Sequence, residues 1–175
     1  MASYNARPTL DLAAGREVLE QDLAAALRLH DAASPEALGW RQAGPRTLMV
    51  AMIGEHLGVR ENYVLRLEFK TGREWPPSAQ FVDPQTLAYR GVIDQHHLPQ
   101  LRSPEAHVHP AYSSPLFTQP LQLICCSATL EYYDVLHGGD ETLIWRSSDS
   151  FLRTLAAIGR AMSGQYHGRF DRHDG

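Results

Sequence analysis

Tyr63-Val64-Leu65-Arg66-Leu67-Glu68-Phe69 alternates, and six residues on the chain runs Trp75-Pro76-Pro77-Ser78-Ala79-Gln80-Phe81-Val82. The first stretch puts Tyr63, Leu65, Leu67 and Phe69 on one side, the pattern of a half-buried strand. Thr71-Gly72 makes a turn. The second stretch is a short strand whose start is fixed by the proline pair. Upstream, Thr47 to Ile53 is apolar, and Gly54 and Gly58 bracket another turn. Three strands joined by short connections predict an antiparallel meander. Trp75, Phe81 and Leu67 are expected in its core.

Outward from the meander, both ends of the chain are helical in pattern. From Thr9 to His30, Leu12, Leu19, Leu23 and Leu27 fall near one face, with charged residues mostly elsewhere. Gly15 weakens the first turns, and Ser34-Pro35 marks a break. Near the other end, Ser147 and Ser148 are placed to cap a helix running from about Ser148 to Met162. Phe151, Leu155, Ile158 and Met162 would share its inner face. Residues 83–120 are rich in Pro and His with little periodicity. They read as a long ordered loop, which is uncommon unless functional. Leu121 to Cys126 is a short extended run, and His137-Gly138-Gly139-Asp140 a further turn. From Ser163 onward the chain is a polar tail with Tyr166 and Phe170 as ordered exceptions. The fold class is therefore α+β, helices against one antiparallel sheet. The 175 residues suit a single domain with its core at about 10–165.

Composition narrows the function classes. The net charge is −4, so no basic surplus exists and a primary role on nucleic acid is not expected. Of the sixteen basic residues only Lys70 is a lysine. The longest stretch without a charge or histidine, Ala111 to Leu130, holds Pro115, Pro120 and several hydroxyl and amide residues, unlike a membrane helix. No basic start followed by an apolar run opens the chain, so no signal peptide is expected. The two cysteines, Cys125 and Cys126, are adjacent rather than spaced as a disulfide framework. Reduced thiols in the cytoplasm are the expectation.

Several chemistries lack their motif. There is no G-x-S-x-G for a serine hydrolase, no phosphate-binding G-x-x-x-x-G-K-[ST], and no distinctive carboxylate pairing. The thiol pair remains. A cysteine thiolate is a strong nucleophile that forms covalent intermediates, and this pair follows the long loop, as an accessible thiol at a cleft rim would. Two buried small hydrophobes are the plainer reading. Adjacent β residues point opposite ways, so one thiol at most should reach a cleft. His107 and His109, at i, i+2, would share a face of an extended segment, which is compatible with metal ligation. The plainer reading is loop histidines, and no metal or other cofactor is expected.

The order of these elements resembles the catalytic domain of ubiquitin-conjugating enzymes, over roughly residues 10–165. The carriers are the N-terminal helix, the alternating strand Tyr63–Phe69, and Trp75-Pro76-Pro77 leading to Phe81. After them come His109-Pro110, Ile124-Cys125-Cys126, and Trp145 ahead of the Ser147-Ser148 helix start. The chain ends soon after that helix, as compact bacterial members do. The family's His-Pro-Asn departs here, because Ala111 follows Pro110. A histidine or a backbone N–H would have to take the place of that Asn. The gaps from His-Pro to the cysteine and from the cysteine to Trp145 are also longer than usual.

The resemblance implies a UBC-like fold and a transferase. A ubiquitin-like protein, activated by a separate enzyme that consumes ATP, would pass to the cysteine as a thioester and then to an amine or water. Cys125 fits the Ile-Cys-apolar order, while Cys126 places Leu130 four residues on. Cys125 is preferred, Cys126 stays open, and His107 and His109 join them as candidate site residues. The partners implied are the ubiquitin-like protein, its activating enzyme and a JAB-type protease, a set that bacterial members use in antiphage defence. Two other readings stand beside this one. The chain could be a non-catalytic UBC- or RWD-like module that binds a ubiquitin-like protein or peptide, or a His/Cys metal protein unrelated to the family.

Overall fold

The structure, a computed structural model, describes residues 7–102, 106–112, 121–135 and 144–170. Its frame is a four-stranded antiparallel sheet in sequence order: β1 (Trp40–Gly44), β2 (Thr47–His56), β3 (Val59–Glu68) and β4 (Ser78–Val82). The expected meander is present, with one more strand than the sequence suggested. β1 was missed because, among its five positions, only Trp40 is buried, so it has no alternation to read. β2 runs on past Ile53 to His56, and the turn to β3 is only Leu57-Gly58. Both residues have positive φ, 51° and 80°, as a type I′ hairpin turn requires. Tyr63, Leu65, Leu67 and Phe69 all face the core, as do Trp75 and Phe81. Leu65 opposes Phe81, and Leu67 opposes Ala79.

Helix α1 (Leu12–Leu29) begins where Asp11 accepts the Ala14 N–H at 3.0 Å. Gly15 does more than weaken a turn. A Cβ there would overlap the Phe69 carbonyl, so glycine is what lets α1 lie directly on the end of the meander. Buried Asp22 is held by Arg73 at 2.6 Å. Helix α3 (Phe151–Gly164) closes the core with Phe151, Ile158 and Met162 buried and Leu155 partly so. It starts later than expected. Ser150, not Ser147 or Ser148, is the N-cap residue and makes no side-chain cap bond. Asp149 instead turns back to accept the Arg146 N–H at 2.8 Å, which delays the helix by a turn.

The segment read as loop is more regular than expected. It contains a 3-10 segment, Gly91–His97, then β5 (Pro99–Leu101) and β6 (His107–Tyr112). β6 pairs with β7 (Leu121–Cys125) as a separate two-stranded sheet. A one-and-a-half-turn helix, α2 (Leu130–Asp134), follows. The supposed tail is also a strand, β8 (Tyr166–Arg169), paired with β5. Its polar composition hid it, because two of its side chains, Tyr166 and Arg169, do the fixing. Tyr166 meets Tyr63 hydroxyl to hydroxyl at 2.6 Å. Arg169 donates to Glu61 at 2.8 Å and to the His96 carbonyl at 2.8 Å. Gly54 leaves room for the Tyr166 ring, which a Cβ would meet at 2.7 Å. The turn expected at His137 to Asp140 lies outside the described residues.

Candidate functional site

The β6–β7 register brings the four candidate residues into one neighbourhood and sorts them by face. His107 lies opposite Cys125, Val108 opposite Ile124, and His109 opposite Leu123. Directly opposed residues of an antiparallel pair share a face. Val108 and Ile124 are buried, so that face is the core. His107, His109, Cys125 and Leu123 are therefore on the other face, which is itself closed at Leu123, only 5% exposed. Both imidazoles are exposed, Cys125 is half-buried, and the two rings lie 4.4 Å apart. Cys126, one residue on, turns inward and is only 4% exposed. The alternation expected of the two thiols holds, and it sets Cys126 in the core.

Neither thiol is activated by its surroundings. Burial pushes the Cys125 thiol above its ordinary value. Burial pushes Cys126 up as well, against a hydrogen bond from the Ala128 N–H. An open groove of about 630 Å³ lies alongside, lined by Gln100, Arg102, His107, His109, Pro110 and Phe170. Leu101 and Val108 line it too, so it follows the edge of β6; among the described lining residues neither cysteine appears, contrary to the expectation of a thiol at a cleft rim.

The backbone around the thiols is held by side chains that sequence reasoning passed over. Thr129 donates to the carbonyls of Ile124 at 2.8 Å and Cys126 at 2.9 Å. Tyr133 donates to the Ser127 carbonyl at 2.8 Å and accepts the Trp145 N–H at 2.7 Å. Thr154, from α3, donates to the Ala128 carbonyl at 2.8 Å. Gln122 spans the gap to the main sheet: its amide accepts the Phe81 N–H at 2.7 Å and donates to the Phe81 carbonyl. Wholly buried Glu131 accepts from the Ser78 hydroxyl and from the Ala79 N–H. Burial holds its carboxyl above the ordinary range. One signal was visible: Gln122 is a lone amide in the apolar run Leu121-Gln122-Leu123-Ile124.

A second cluster lies at the 3-10 segment. Asp83, Asp94 and His97 are the one group among the described residues whose possible ligand atoms all lie within 4.8 Å of one another. Arg90 already fills it. It donates to both oxygens of buried Asp94, at 2.9 and 2.7 Å, and lies 3.6 Å from Asp83. These bonds hold the Asp94 carboxyl below its ordinary range. A cation there would face a guanidinium, so the cluster is a structural ion-pair network.

No helix among the described residues is long and apolar enough to cross a membrane. No protein-family model, curated protein or solved structure matches the chain.

Proposed function

We propose that the chain carries a ubiquitin-like protein as a thioester on Cys125, in a UBC-like fold. The observation that carries this reading is the position of Cys125. It ends β7 half-buried on the outer face, opposite His107, with the next turns pinned by Thr129, Tyr133 and Thr154. The order meander, thiol, Trp145 and closing helix agrees with the resemblance. In the step, the Cys125 sulfur attacks the carbonyl of an incoming thioester. Its proton leaves to a base, for which His107 is the facing candidate. The tetrahedral adduct then expels the donor thiol. An amine attacking the new thioester gives an amide and regenerates the thiol; water gives a free carboxylate. The raised thiol pKa costs more in thiolate fraction than it gains in nucleophilicity, so the carrier needs the base at His107 to take the proton as the sulfur attacks. With Asn absent after Pro110, a backbone N–H or an imidazole would meet the oxyanion. ATP would be consumed by the activating enzyme, and a JAB-type protease would act on the product. A cytoplasmic, bacterial antiphage role follows from the resemblance alone.

The elevated thiols favour one second reading, a non-catalytic module that binds a ubiquitin-like protein. Incubation with a purified ubiquitin-like protein, its activating enzyme and ATP separates the two. The carrier forms an adduct that thiol reductants cleave, retained in Cys126→Ala and absent in Cys125→Ala. Non-covalent binding unchanged in the double variant, without any adduct, establishes the module instead.

A further inference from the structure

We propose that the groove between β5 and β6 binds a small organic anion, a carboxylate or phosphate head on an apolar body, with Arg102 and His107 taking the head. The groove exists because its two walls belong to different sheets. β5 pairs with β8 and β6 with β7. Among the described residues, β5 and β6 meet as strands only at the Arg102–His107 bridge. Directly opposed residues share a face, and their Cβ atoms lie about 4.5–5.5 Å apart. Both side chains are exposed, and both already line the same open space of about 630 Å³. His109 lies against His107, rings 4.4 Å apart, and needs no part in the bonding.

The lining is one-sided in charge. It holds a guanidinium, two imidazoles and, among the described residues, no carboxylate, in a chain whose net charge is −4. Elsewhere an exposed strand arginine finds its counter-ion across the ladder: Arg60 faces Glu55, 3.6 Å away. Arg102 faces an imidazole instead, and it makes no ion pair with a described residue. A guanidinium presents a planar fork that matches carboxylate and phosphate. An imidazole offers at least one N–H in either protonation state. Beyond this pair, half-buried Pro110 and Phe170 offer an apolar body its surface. The frame is set in advance. The Phe170 N–H donates to the Leu98 carbonyl at 3.0 Å, the Gln100 amide to the Arg169 carbonyl at 3.3 Å, and the Tyr89 hydroxyl to the Pro110 carbonyl. A preformed frame lowers the cost of binding, and the volume lies within the range of small-molecule sites.

The site goes beyond the carrier reading and is tested without it, since neither an activating enzyme nor a ubiquitin-like protein enters the experiment. Full-length protein is titrated by calorimetry with benzoate and with phenyl phosphate, which share a body and differ in head. Inorganic phosphate and benzyl alcohol supply a head and a body alone. One or both anions should bind one to one with a Kd of about 1 mM or tighter, within reach of ligands this small, and the tighter of the two identifies the head. Each half-probe should bind at least about tenfold more weakly, because it gives up one of the two kinds of contact. Arg102→Gln should weaken binding of the anions by at least about tenfold, the loss of a charge-assisted bond. Arg102→Lys should cost less, since it keeps the charge and loses only the fork. His107→Ala should weaken binding too, and His107→Gln, which keeps an N–H donor, should recover part of it. Arg41→Gln, at an exposed arginine of β1, should leave it unchanged. Three results would overturn the assignment: no saturable binding of either anion below about 10 mM, a half-probe binding as tightly as the anions, or equal losses in Arg102→Gln and Arg41→Gln. All three substituted positions are exposed, so the variants should fold, and far-ultraviolet circular dichroism checks that they do.

Discussion

The four-stranded sheet and the β6–β7 hairpin are held by different means. In the sheet, β2 and β3 pair without interruption from Thr47–Glu68 to His56–Val59, and backbone bonds with apolar burial suffice. The hairpin has two strands, a register break between His109 and Tyr112, and side chains doing what neighbouring strands do elsewhere. Gln122 stands in for a ladder partner of Phe81, and Thr129, Tyr133 and Thr154 satisfy carbonyls that no strand reaches. The first region depends on volume, the second on individual hydrogen bonds. A two-stranded ribbon is marginal alone, so docking is what makes the candidate site rigid.

That contrast can be broken most strongly from the sheet side. Phe81 is fully buried between the regions, edge-on to Tyr63. Phe81→Ala should cost about 3–5 kcal/mol in chemical denaturation, the transfer and cavity penalty of a core aromatic. A cost well below about 3 kcal/mol would mean that packing does not dominate the sheet.

Gln122→Leu tests the other side. It keeps an apolar run but orphans the Phe81 N–H and carbonyl, at about 1–3 kcal/mol for each group left buried and unpaired. Amide exchange should accelerate across β6–β7 far more than across β2–β3. Equal acceleration in both would show one cooperative unit rather than two kinds of support.

Glu131→Gln sharpens the comparison through pH. The folded protein holds the Glu131 proton more tightly than the unfolded chain does, because burial raises the folded pKa. Its contribution is therefore complete below the ordinary carboxyl range and is lost as pH rises through the folded value. Gln keeps the acceptor for Ser78 and Ala79 without a charge. The variant should gain on the parent protein in urea midpoint on going from mildly acidic to mildly alkaline pH. Asp83 and Asp94, at the 3-10 segment, are shifted the opposite way, Asp83 by the Gln85 N–H and Asp94 by Arg90. They stabilise above their unfolded pKa values and lose that contribution as pH falls. A constant difference between variant and parent across the range would show Glu131 charged in the fold.

The same contrast explains what could be read beforehand. Tyr63 to Phe69 and Phe151 to Met162 announce themselves because each buries one face at a regular period. β6 does not. Its His107, His109 and Ala111 are exposed and Pro110 lies between them, so composition suggests a loop while the register makes a strand. β8 is Tyr-His-Gly-Arg, fixed by a hydroxyl pair and a guanidinium rather than by apolar area. The thiols were legible as a pair of opposite orientation. Their supports were not, because Thr129 and Tyr133 bond backbone atoms that only the folded chain brings near.

The smallest expected effect on stability tests the site most closely. Cys125→Ser changes a half-buried atom on the outer face and should shift stability by no more than about 0.5 kcal/mol, as surface substitutions do. Cys126→Ser puts a hydroxyl into a position 4% exposed in the core, and even with the Ala128 N–H to accept from its desolvation should cost about 1–3 kcal/mol. Reactivity should follow the same division. Iodoacetamide should reach Cys125 in the native protein and Cys126 only on unfolding, read by mass spectrometry of the single variants. The Cys125 rate should still be climbing above the ordinary thiol range, since burial holds its pKa up and the thiolate is the reacting species. A slip of one residue between β6 and β7 would turn every side chain of the hairpin to the other face. In that case Cys126 would react first and Cys125→Ser would be the costly change. Finding that order would exchange the roles of the two thiols, and with them the cysteine assigned to the thioester.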